Sequence, residues 1–124
     1  MRPVIALLFF CVSLKVAPAS AQSVANGFKL MFDQRGGNCT ACHAMADADG
    51  KKIGIQSNFA PSLDGVASRY TAGQLTQWIV DARTIHPQTL MPPFGVDLNT
   101  QTARGRLLTD AQIADVVAAL QTLR

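Results

Sequence analysis

The chain has 124 residues, 11 of them Lys or Arg against 8 acidic residues, for a formal net charge of +3. That length allows one ordinary domain. Two of the basic residues, Arg2 and Lys15, sit in an N-terminal segment expected to be removed, which leaves nine basic residues against eight Asp; a balance of about +1 excludes the basic stripe that nucleic acid or an acidic membrane surface requires.

Arg2 supplies a positive start, residues 4–14 form an apolar run, and Ala19-Ser20-Ala21 is a small-residue cleavage site, the pattern of a secretory signal. Residues 1–21 are therefore expected to be cut away before Gln22, leaving a domain of residues 22–124. The apolar run is too short for a permanent membrane span, so no stable insertion is expected. Cys11 follows Phe9 and Phe10 rather than the small residues that precede a lipid-bearing cysteine, and it leaves with the signal. Two cysteines remain.

Val24, Phe28, Met31 and Phe32 predict a helix over residues 24–33 with one apolar face. Gly27 inside it costs about 1 kcal/mol relative to Ala, which suits a close approach by another helix better than local stability. Gly36-Gly37 ends the helix and turns the chain into Cys39-Thr40-Ala41-Cys42-His43. C-x-x-C-H is the pattern for covalent attachment of a c-type haem: two thiols three positions apart each add to one vinyl group, and the adjacent imidazole is aimed at the iron. Cys39 and Cys42 are the expected thioethers and His43 the expected proximal ligand. A thioredoxin-type dithiol would need a βαβ context, and a closed zinc site would need four ligands where only His86 is otherwise at hand.

From His43 to Ala60-Pro61-Ser62-Leu63 the chain lacks periodicity, and it reads as a loop around the haem edge, with Lys51 and Lys52 as a solvated pair. Thr71-Ala72-Gly73-Gln74 fits a capping box and opens a helix to about residue 83, with Leu75, Trp78, Ile79 and Ala82 as its inner stripe. Trp78 reads as core in preference to a donor to a haem propionate. Residues 84–108 are irregular and rich in Pro and Gly. Thr109-Asp110-Ala111-Gln112 repeats the box, and Ile113, Val116, Val117, Leu120 and Leu123 give the last helix a clear 3.6-residue period to about residue 123. The expected class is all-α, three main helices with long loops around one covalent haem.

An electron-transfer haem needs a second axial ligand, for which Met31, Met45, Met91 and His86 are the candidates outside the signal. Met45 lies two residues beyond His43 and cannot reach the opposite face. Met31 belongs to the packing face of the first helix. Of the remaining two, Met91 precedes Pro92-Pro93, which disfavours helix and stiffens the loop, whereas His86 reads as an exposed loop residue. The loop Met91-Pro92-Pro93-Phe94 and the haem edge are the expected docking surfaces.

The series of a helix, GNCTACH, a loop containing APSL, a capped helix, MPPFG and a capped terminal helix resembles the class I cytochrome c family over the whole of residues 22–124. The resemblance implies that the Pro61 carbonyl holds the His43 imidazole, with Ala60 where Gly is usual. GGNCTACHAM, PSLDGVASRY, PQTLMPPFG and LTDAQIADVVAALQTL are similar, more narrowly, to the SoxX family of small haem subunits, although VVAAL replaces a segment in which Tyr is common. That resemblance implies a periplasmic electron-transfer subunit, not catalytic alone. Its partner is a SoxA-like haem subunit that joins thiosulfate to a cysteine of the SoxYZ carrier, and a soluble or membrane cytochrome takes the electrons onward. A free cytochrome shuttle is the alternative, ahead of an open-site haem sensor or peroxidase, which a Met91 ligand would deny.

Overall fold

The computed structural model describes residues 21–46, 49–100 and 104–124, so the segment read as a signal lies almost wholly outside the described residues. Four α-helices are present among them: α1 (Val24–Phe32), α2 (Val66–Arg69), α3 (Ala72–Asp81) and α4 (Asp110–Leu120). Strand structure among the described residues amounts to two isolated bridges. The class is all-α, as expected. α2 is a further turn that the sequence does not announce; it follows Gly65, held at φ +68°.

Both capping boxes form. Gln74 N–H donates to Thr71 Oγ1 at 3.3 Å while Thr71 N–H donates to Gln74 Oε1 at 2.9 Å. Thr109 and Gln112 repeat the exchange at 3.3 and 2.8 Å. Each pair satisfies N–H groups that have no partner within the helix. α1 starts on Ser23, whose Oγ accepts the Asn26 N–H at 3.2 Å.

α4 packs on both α1 and α3, and its predicted stripe, Ile113, Val116, Val117 and Leu120, with Leu123 just beyond, is buried. Each such aliphatic side chain contributes about 1.5–3 kcal/mol on leaving water. The helices come closest at Gly27, where an added Cβ would lie 2.0 Å from the Asp115 carbonyl oxygen and 2.8 Å from Ala119 Cβ. This is the close approach read from the sequence. It also changes which face of α1 is inside. Gly27, Leu30 and Met31 are buried, whereas Val24 is exposed and Phe28 and Phe32 are half-buried, their rings stacked at 6.4 Å. Backbone contact at the glycine turns the stripe toward the residues one turn on. Asp115 secures the crossing, accepting the Ser23 N–H at 2.7 Å and the Asn26 Nδ2–H at 2.6 Å; these donors hold its carboxyl below the usual carboxylate range.

On α3, Leu75, Ile79 and the following Ala82 are buried as read. Trp78 is only half-buried and meets Tyr70 edge-on, with ring centroids 6.3 Å apart, so it lies at the margin of the core.

Candidate haem-attachment site

Cys39–Ala41 forms a 3-10 turn entered from Asn38 at φ +46°, a left-handed value that Asn tolerates better than most side chains. The turn closes with the Cys42 N–H donating to Cys39 O at 3.2 Å, which brings the two cysteines back to back across one turn. Behind them Gly37 is buried, and a Cβ there would come within 3.2 Å of Cys39 Sγ. Its N–H closes α1 by donating to Leu30 O at 2.9 Å. The glycine that ends the helix thus also makes room for the first cysteine.

Neither cysteine is in a disulfide, and both are half-buried. Before haem is attached, burial pushes the Cys39 thiol up to about 11, the reverse of the low-pKa thiol on which a thioredoxin-type dithiol depends. Among the described residues no group of three or more His, Cys, Asp or Glu is placed to hold a metal ion.

His43 is positioned by a clasp between two loop segments. It forms a parallel bridge with Ala60. Ala60 N–H donates to Cys42 O at 2.9 Å and Leu63 N–H to Ala44 O at 2.8 Å, while Ala46 N–H donates to Asp64 Oδ1 at 2.5 Å. In that register His43 Nδ1 lies 2.6 Å from Pro61 O. A carbonyl only accepts, so Nδ1 carries a proton, and the neutral imidazole then has its lone pair on Nε2. A metal-ligating imidazole needs that tautomer, and the hydrogen bond fixes both it and the ring's orientation.

Arg69, in α2, is with Trp78 a residue whose contact with a haem propionate the sequence leaves open. Its guanidinium donates to Asp64 O at 2.6 Å and Ser62 O at 2.8 Å, bracketing the loop just beyond Pro61. No local pattern marks this, because the partners are backbone carbonyls; the isolated four-residue turn that carries Arg69 is equally silent.

Of the candidate second ligands, Met31 and Met45 are fully buried in the core, whereas Met91 is half-buried against its edge and His86 is exposed. The loop behind Met91 is fastened to the end of α3: Phe94 N–H donates to Ile79 O at 3.1 Å, Gly95 N–H to Val80 O at 3.0 Å, and Leu108 N–H returns to Phe94 O at 2.8 Å. The expectation of an apolar docking loop needs correction here. Pro93 and Phe94 are buried, because those backbone bonds draw them against α3; Leu90, 79% exposed, and Pro92 are what the segment offers to solvent.

Two thiols one turn apart, an imidazole held through Nδ1 and a thioether at the core's edge fit a haem as a donor set. No helix among the described residues is long and apolar enough to cross a membrane. A family model described as Cytochrome c matches residues 24–124. Among solved structures, a chain of SoxXA from P. pantotrophus is similar at 31% identity and a TM-score of 0.64, over 90% of this chain and 87% of that one. Cytochrome c2 from Rhodobacter sphaeroides is similar at 15% identity and a TM-score of 0.51, over 83% of this chain and 97% of that one, a likeness of fold alone. No curated protein matches the chain.

Proposed function

The chain belongs to the cytochrome c family and carries haem c covalently, and from that premise we propose that it is the electron-accepting haem subunit of a periplasmic SoxAX-type complex of thiosulfate oxidation. A monohaem electron-transfer role follows from the family. The finer reading is carried by one observation, the 31% identity with a chain of SoxXA over nearly the whole of both chains. A SoxA-like haem subunit is then the direct partner, the SoxYZ carrier an indirect one, and a soluble or membrane cytochrome the onward acceptor.

Haem c supplies a one-electron ferric/ferrous couple. Cys39 and Cys42 would tether it as thioethers, His43, whose Nδ1 is held by Pro61 O, would offer Nε2 to the iron, and Met91 would supply a second, thioether ligand. A neutral thioether favours the reduced iron and raises the potential above that of a bis-His site.

The cysteine inventory assigns the sulfur chemistry elsewhere. Joining thiosulfate to a protein cysteine needs a thiolate or persulfide to receive sulfur, and it releases two electrons. Here both cysteines of residues 22–124 are used as thioethers, and one haem takes one electron. The partner therefore brings the thiol, and this chain removes charge.

The test is an assay of the purified haem-loaded subunit with thiosulfate and the carrier protein, first alone and then with the SoxA-like subunit. Turnover should appear only with the partner. Turnover by the isolated subunit refutes the division of labour, and no gain on adding the partner returns the chain to the free-shuttle reading.

A further inference from the structure

α1 is fastened to α4 from its capping residue. Ser23 gives its N–H to Asp115 Oδ1 at 2.7 Å and its Oγ caps Asn26 at 3.2 Å, while Asn26 Nδ2 reaches the other Asp115 oxygen at 2.6 Å. Residue 23 thus both starts α1 and fastens it to α4. Gln22, immediately before it, is exposed and non-helical, with no hydrogen bond among the described residues. Cleavage after Ala21 makes the Gln22 α-amine the end of the chain and leaves its carboxamide side chain free to fold back on it.

We propose that Gln22 is a modification site that cyclises to pyroglutamate, an inference resting on the reading that the signal is cut after Ala21. The α-amine nitrogen attacks Cδ of the same side chain, a lactam N–Cδ bond forms, the Cδ–Nε2 bond breaks and ammonia leaves. No oxidant, reductant or second substrate is needed.

Two features of the structure give the lactam a role. It removes a terminal positive charge from the N-terminal end of α1, where the helix dipole disfavours cations. It also closes the chain to aminopeptidases one residue before the Ser23–Asp115 tie. Loss of Gln22 and Ser23 would take away both the N–H and the Oγ that hold the start of α1, whereas a neutral, blocked residue 22 keeps them in place.

Intact-mass measurement and N-terminal sequencing of the haem-loaded protein, prepared promptly from the periplasm, test this. The expected mass is that of residues 22–124 with one haem, less one ammonia. Sequencing should be blocked until pyroglutamyl aminopeptidase removes residue 22 and exposes Ser23. A free Gln22 at full mass overturns the cyclisation and leaves the cleavage site standing; a chain starting at another residue overturns both. A Gln22→Ala chain should sequence directly and be trimmed by a general aminopeptidase, with loss of thermal stability. Equal resistance of the two proteins to that enzyme would overturn the protective role.

Discussion

Replacing Gly27 by Ala adds one methyl group at the place where α1 has no room for it. The new Cβ would stand 2.0 Å from the Asp115 carbonyl oxygen, 2.6 Å from its carbon and 2.8 Å from Ala119 Cβ. The first two are backbone atoms inside α4, so no rotamer change relieves the clash; the helices must separate, loosening Leu30 and Met31 against Val116 and Leu120. Overpacking of this kind costs typically about 1–3 kcal/mol, and an unyielding backbone puts the cost near the top of that range. The gain in helix propensity from Gly to Ala returns about 1 kcal/mol, for a net loss of about 2 kcal/mol. In a domain of this size that lowers Tm by about 8–16 °C. The same substitution at Gly73, in α3, meets nothing within 4 Å and should raise stability, by up to about 1 kcal/mol. Thermal melts of the two haem-loaded variants, followed by far-ultraviolet circular dichroism, make the comparison. An unchanged or raised Tm for Gly27→Ala, or equal effects at both glycines, would refute the packing argument.

Arg69→Ala should free the Ser62 and Asp64 carbonyls and loosen the hold on His43, so that its Nδ1 proton, measured by NMR, exchanges with solvent faster than in the parent; an unaltered rate would make the arginine irrelevant to the imidazole. Met91→Ala should abolish the near-infrared sulfur-to-iron band of the oxidised protein, and loss of that band only on changing Met31 or His86 would overturn the distal assignment. The Asp115 carboxyl is held low by Ser23 and Asn26, so its contribution to stability is complete above the ordinary carboxylate pKa of about 3.9 and is lost as pH falls through the depressed native value. The stability difference between the parent and Asp115→Asn should accordingly be constant above about pH 5 and shrink in acid; chemical denaturation across pH 2–7 reads it, and a difference growing in acid would contradict the assignment.

The parts of this molecule legible in its sequence are those written in short-range chemistry. Thr71/Gln74 and Thr109/Gln112 mark helix starts because both partners of each box lie within one turn, and the terminal stripe is visible because burial on one side of α4 repeats every 3.6 residues. Cys39, Cys42 and His43 are legible for the same reason. The clasp that orients His43 is not. Its frame is two backbone bonds, Ala60 N–H to Cys42 O and Leu63 N–H to Ala44 O, made by groups that every residue possesses, and the Pro61 carbonyl, 18 residues from His43, could be expected only by resemblance. Phe94 illustrates the complementary limit: a proline-flanked aromatic in an irregular stretch reads as surface, yet two bonds to the last carbonyls of α3 draw it inside.

The two ties described above also differ in what the chain must do to make them. The His43–Pro61 contact closes a loop of 18 residues, whereas Ser23 and Asp115 are 92 residues apart. With loop entropy growing as three-halves of RT times the logarithm of length, the shorter closure is favoured by about 1.4 kcal/mol, roughly a tenfold bias in a flexible chain. The imidazole can therefore find its orienting carbonyl while the ends of the domain are still apart. Cys39, Cys42, His43 and the groups that orient its imidazole, Pro61 and Arg69, all precede α3 and α4, so a growing chain completes that segment before α4 has emerged to meet α1.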